Sequence, residues 1–251
     1  MGAFVKRAAQ SMTQSDIVLI LGSGPNAVQV KNWARSLFDS VVAINNAWQV
    51  RPDWDYLIHP EDFDPVRMPP RIGPDQQIVT APDYVPAQNV YGGFVYAGGT
   101  MAFTAAYWAL HALQPKVMAF LGCDMVYPAN GPTHFYGTGE ADPLRKDVTL
   151  QDLTAKSARL ALFAAREGCH CINLSANESR LIFPRAAPDD LADLGNKPVS
   201  LDLAAVNRAE AREAELAYSV PSGRYWDVQG MFDATALSGL DRQWLRAYRA
   251  A

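Results

Sequence analysis

The sequence predicts an α/β protein built on an open, mostly parallel sheet with helices on both faces. Three observations predict it. Short apolar runs recur at 17–21, 41–44, 56–58 and 117–121, the first of them rich in β-branched residues, the pattern of strands covered on both faces. Helical stretches alternate with them, so the first strand, its glycine turn, a helix and the second strand read as a right-handed βαβ unit. Of the 251 residues, 49% are hydrophobic and 19% charged, enough apolar material for a large core.

Residues 1–15 hold Lys6 and Arg7 but no long apolar stretch and read as a flexible leader. The principal domain spans 16–184. Strand 17–21 runs into Gly22-Ser23-Gly24-Pro25-Asn26 and a helix expected at about 27–38. Strand 41–44 ends in Asn45-Asn46, and strand 56–58 in His59-Pro60. Eight of the seventeen prolines fall between 52 and 86, which predicts an irregular segment around one extra strand at 77–80. Gly98-Gly99-Thr100 opens an apolar helix at 101–113, and strand 117–121 ends in Gly122-Cys123-Asp124. Residues 125–150, rich in Gly, Pro, Thr and charge, form a long lid-like loop of the functional kind. An amphipathic helix at 153–167 and a strand at 171–174 complete the domain. Beyond Pro184 a helical appendage, 185–251, is expected to contain a helix capped by Ser200 and running to about 217. Arg208, Glu210, Arg212, Glu213 and Glu215 lace it as a solvated face or a partner surface, and a last short helix follows at 239–248.

Composition excludes several classes. A net charge of −4 argues against nucleic acid as a partner. No run of eighteen apolar residues exists to span a membrane. Three cysteines make no disulfide framework, and a reducing, cytoplasmic location is expected. Cys169 and Cys171 read as buried strand residues rather than metal ligands. Homo-oligomerisation stays open.

In open parallel sheets, ligands bind outside the carboxyl ends of the strands. Gly22, Ser23, Gly24, Pro25, Asn26, Asn45, Asn46, His59 and Asp124 all stand at such exits. The first glycine turn lacks the third glycine and the acidic partner of a dinucleotide fingerprint, and the Lys-Ser/Thr of a P-loop. It is nevertheless expected to present N–H groups to a phosphate at a helix start. Gly98, Gly99 and Thr100 form a second such corner, with Thr100 also suited to capping. Asp53-Trp54-Asp55 could hold a divalent cation, but it precedes its strand and reads better as a solvated turn. His111 and His170 read as structural. His134 stands in a loop with Tyr127, Tyr136 and Glu140 nearby; imidazole is a natural general base, and tyrosine hydroxyls can bond a departing phosphate.

These residues together resemble the bacterial sialyltransferases of glycosyltransferase family 42. They are also similar to the motility-associated factor and 6-hydroxymethylpterin pyrophosphokinase-like proteins. The features are the 22–26 turn, the Ile44-Asn45-Asn46 and His59-Pro60 exits, the Gly98-Gly99-Thr100 helix start, and 121–124 followed by Tyr127. The resemblance covers about 16–184 and implies a Rossmann-like fold with a flexible lid. It implies inverting transfer from a nucleotide-activated sugar, a CMP-linked sialic or related nonulosonic acid, to a glycan or other hydroxyl acceptor, with no cofactor required. The first turn and Asn45 would touch the nucleotide, Gly99 and Thr100 the donor, and Tyr127 with Tyr136 or His134 the phosphate. The family's late-lid histidine has no counterpart near 149–152, so His134 is the base of choice and His59 the reserve. Two alternatives stand beside this: a Mg-dependent diphosphotransferase of the pterin-kinase-like type, and a non-catalytic nucleotide-binding module.

Overall fold

A computed structural model describes residues 16–127, 130–139 and 146–250. Its six strands are β1 (Ile17–Leu21), β2 (Ser40–Ile44), β3 (Tyr56–Ile58), β4 (Gln77–Val79), β5 (Val117–Leu121) and β6 (His170–Asn173). They form one sheet in the order β4-β3-β2-β1-β5-β6, with every neighbouring pair parallel. The chain thus builds outward from β1 to one edge, then returns to place β5 on the other side of β1. The fold is Rossmann-like.

Side-chain alternation along each strand divides the core into two layers. Val18, Ile20, Val42, Met118 and Phe120 enter one, and Leu19, Leu21, Val41, Ala43 and Leu121 the other. The first layer is thick. Helices α1 (Ala81–Val90), α2 (Phe94–Ala97), α3 (Met101–Leu113) and α4 (Leu153–Arg166) cover it. The second is thin, closed by 3₁₀ segments at 25–32, 35–37 and 45–49 and by α5 (Leu191–Leu194).

Two expectations change here. The first crossover is not an α-helix over 27–38 but two 3₁₀ segments, Pro25–Asn32 and Arg35–Leu37; Val28, Val30 and Asn32 are weak helix formers. Conversely, the proline-rich segment ends in helix α1, which holds Pro86 in its interior. Pro82 lies in its first turn, where a missing N–H costs nothing, and Asp83 accepts from the Thr80 N–H at 2.9 Å to fix its start.

The C-terminal helices α6 (Leu203–Leu216) and α7 (Ala234–Ala250) pack into the thick layer through Val206, Ala209, Leu237, Leu240 and Trp244. Asp202, not Ser200, caps α6 by accepting from the Ala205 N–H at 3.1 Å. Helix α7 starts five residues earlier than expected, behind Asp233, which accepts from the Thr235 N–H at 2.8 Å.

Buried ion pairs stitch these helices to α4. Arg159 donates to Glu213 from Nε and Nη2, both at 2.7 Å, and from Nη1 to the Tyr107 hydroxyl at 2.8 Å. Trp244 Nε1 adds a bond to Glu213 at 2.9 Å. Burial opposes the charge on Arg159, and Glu213 with Tyr107 more than offsets it, holding the guanidinium above its ordinary pKa. Lys156 and Asp241 pair at 2.9 Å in equally dry surroundings. Glu213 therefore faces inward, where the sequence suggested a solvated face or a partner surface.

Candidate functional site

Strand order reverses between β1 and β5, and ligands in such sheets sit outside that point. A cavity of about 1260 Å³ opens there, and the exit of every strand contributes to it. Gly22 follows β1, Asn45 β2, Pro60 β3, Ala81 β4, Asp124 β5 and Asn177 β6.

The first corner is built differently from the sequence expectation. The Gly22 N–H donates to the Leu121 carbonyl and the Gly24 N–H to the Gly122 carbonyl, both at 2.8 Å. Pro25 has no N–H. The glycines therefore serve a crossing of two backbones: a Cβ on Gly22 would collide with the Gly122 carbonyl oxygen, and one on Gly24 would lie 2.9 Å from it. The corner lines the cavity through Gly22, Ser23, Gly24 and Pro25, but the glycine N–H groups are spent on β5. These two N–H groups are thus not open to a phosphate.

Asn26 lies below the cavity rather than in its wall. Its Nδ2 donates to Asp124 Oδ2 and to the Ser175 hydroxyl oxygen, each at 2.8 Å, and Ser175 donates to the same Asp124 oxygen at 2.7 Å. Asp124 is thus fixed through one oxygen while Oδ1 has no protein partner, and the residue lines the cavity. At the β2 exit, Asn45 takes the left-handed conformation (φ 52°). The side-chain oxygens of Asn45 and Asn46 are also buried without a partner, and Asn46 is only 5% exposed. Such acceptors cost free energy unless a donor-bearing ligand satisfies them. Met125, bulky yet at φ 53°, is a second left-handed residue in the lining, and strained backbone of this kind clusters at binding sites.

The second corner supplies what the first does not. Thr100 caps α3, its hydroxyl accepting from the Phe103 N–H at 3.3 Å. Gly99, Thr100, Met101 and Ala102 all line the cavity. The N–H groups of Met101 and Ala102 belong to a first helical turn, which leaves them no acceptor inside the helix, at the positive end of its dipole. Gly98 does not reach the cavity. A Cβ there would meet Phe103 at 2.8 Å and Lys156 at 3.2 Å, and its φ of 97° needs glycine.

Residues 130–139 form a flap over the first corner. The Phe135 N–H donates to the Ser23 carbonyl at 3.0 Å, and His134 and Gly137 exchange backbone bonds of 2.9 and 3.1 Å. The His134 ring stacks on Tyr136 at 4.9 Å and lies 6.1 Å from Tyr127; all three line the cavity. Nδ1 of His134 sits 2.8 Å from the Thr133 hydroxyl. Partial burial lowers its pKa below the ordinary imidazole value, so the neutral ring predominates at neutral pH. Glu140 lies outside the described residues, as does the leader at 1–15.

His59 is not in the lining. Its Nδ1 lies 2.8 Å from the Pro60 carbonyl and its ring packs on Phe63 at 5.2 Å, so the reserve base belongs to a turn. Asp53 and Asp55 are structural. Arg51 binds Asp53 at 2.5 and 2.7 Å and lowers its pKa through those hydrogen bonds; Asp55 accepts from the Val41 N–H at 2.7 Å and from Arg35 at 2.6 Å. Among the described residues no three His, Cys, Asp or Glu side chains gather as a metal site. His111 is exposed on α3, and His170 Nε2 lies 3.0 Å from the Lys197 carbonyl.

The sequence missed one wall entirely. Tyr84, Val85 and Phe94 meet residues 222–226 from the far end of the chain there, and no local signal joins segments so distant. Comparison with family models, with curated proteins and with solved structures finds no match to this chain.

Proposed function

We propose that the chain is an inverting glycosyltransferase acting on a nucleotide-activated sugar, of the CMP-linked nonulosonic type to which its strand exits point by resemblance. The observation that carries the reading is the Phe135–Ser23 backbone bond. It fixes a flap bearing an imidazole and a phenol to the corner leaving β1, in one cavity with the first turn of α3. The cavity volume, about 1260 Å³, exceeds the ~300–1,000 Å³ of single small-molecule sites and accommodates a donor with an acceptor.

The chemistry follows from what each group can do. The acceptor oxygen attacks the anomeric carbon, and its proton passes to Nε2 of His134 while Thr133 holds the Nδ1 side. The bond between that carbon and the phosphate oxygen breaks, and the electron pair leaves with the phosphate. The first-turn N–H groups of α3 and the hydroxyls of Tyr127 and Tyr136 take up the developing charge. Asn45, Asn46 and Asp124 present acceptors to hydroxyl and amino groups of the donor.

Transfer and hydrolysis of CMP-sialic acid test this. His134→Asn is expected to lower kcat by about 10²–10⁴ and to leave CMP affinity within twofold. Loss of all activity in EDTA would transfer the site to the Mg-dependent diphosphotransferase reading. CMP binding that persists while His134→Asn and Tyr136→Phe change nothing would leave a non-catalytic nucleotide module.

A further inference from the structure

The donor chemistry above leaves one end of the cavity unused, and that end is walled by aromatic rings. Tyr84 meets Phe94 edge-on at 6.3 Å, Phe94 stacks with Tyr225 at 6.1 Å, and Tyr225 meets Trp226 edge-on at 5.3 Å. Trp226 is 50% exposed and Tyr136 45%; among the described residues these are the exposed aromatic side chains, and both line this cavity. Leaving an indole half in water forgoes a large share of its burial energy, which a ligand can recover.

The wall is built rather than collapsed. Gly223 (φ 77°) lets the chain press against α1 and α2, since a Cβ there would lie 3.0 Å from Val85 and 3.2 Å from Phe94. Asn89 donates to the Pro221 carbonyl at 2.8 Å, and the Tyr225 hydroxyl to Asp147 at 3.0 Å. Ser222 and Gln229 lie in the same lining and give the rings a polar rim.

Its position separates it from the donor corner. Tyr84 and Val85 sit on the helix that leaves β4, three strand positions from β1. The wall draws on α1, α2 and residues 222–226 and shares no residue with the corner at the β1 exit.

We infer that this wall is the acceptor subsite and that the acceptor presents a pyranose ring. A sugar ring has one face of C–H groups and an edge of hydroxyls, matching an exposed indole with a hydroxyl and amide rim. The inference deepens the glycosyltransferase reading and rests on it.

Saturation-transfer NMR with millimolar lactose and N-acetylglucosamine tests it, alongside calorimetric titration of CMP. Wild type is expected to saturate the C–H protons of one sugar face. Trp226→Ala should cut that signal at least fivefold, Trp226→Phe should keep most of it, and CMP affinity should stay within twofold in all three. Absence of saccharide signal in wild type, equal signal in Trp226→Ala, or a matching loss of CMP affinity overturns the assignment. If neither CMP nor CMP-sialic acid binds while the Trp226-dependent sugar contact persists, the donor reading falls and the saccharide site stands.

Discussion

Gly22 and Gly122 stand where the chain leaving β1 touches the chain leaving β5. A Cβ on Gly122 would lie 2.7 Å from the Gly22 carbonyl oxygen, so neither position has room. Backbone cannot step aside as a flexible side chain can, and overpacking of this kind costs about 1–3 kcal/mol. Gly22→Ala is expected to lower the urea midpoint accordingly. Gly230→Ala, with nothing within 4 Å, should stay within about 0.5 kcal/mol of wild type. The sequence marked Gly22 as a turn residue but not the reason for it, because the obstructing carbonyl is a hundred residues away. At His134 the expectation is kinetic. Burial lowers its pKa, so the basic form survives to lower pH, and the acidic limb of kcat/KM should fall below the ordinary imidazole value of about 6.5. A limb at or above that value in a pH–rate profile would exclude the ring as base.

Helix α4 carries the strongest test at the scale of elements. Its spacing of apolar residues made it legible, but the same spacing assigns Lys156 and Arg159 no special place, and both are fully buried. Their partners, Asp241 and Glu213, lie on α7 and α6, and charge alternation along α6 read as a solvated face or a partner surface. Side-chain pattern reports periodicity, whereas the pairing of buried charges depends on which helices meet. Glu213→Ala leaves a guanidinium buried and unpaired, and such losses cost about 3–5 kcal/mol. Chemical denaturation should register that drop. The double variant Arg159→Met with Glu213→Leu should recover most of it, since an apolar pair removes the stranded charge. The helix α1 was illegible for another reason: Pro82 and Pro86 suggest a broken chain, yet a proline in the first turn suits a helix start.

Across the whole molecule, the parallel sheet and the residues at its strand exits were readable, because covered strands and glycine corners leave local marks, whereas the strand order is set by tertiary pairing. The aromatic wall was not readable either, since Tyr84 and Trp226 are joined only by tertiary packing. A ligand spanning both ends should stabilise the assembly as one unit. At a hundred times its Kd a nucleotide adds about 2.7 kcal/mol, and for a chain of this size that raises Tm by roughly 5–10 °C. Thermal shift with CMP, UDP, GDP and ATP checks it, and no shift with any of them would remove both nucleotide-dependent readings together.

The pairing of Ile17 with Val117 has a further consequence, in time rather than space. The crevice lies between two strands separated by most of the first half of the chain, and such non-local contacts form slowly because the intervening loop must close first. While the chain emerges from the ribosome, β1 can pair with β2 long before β5 exists. Its other edge then stays open to wrong partners until the strand that completes the crevice has been made.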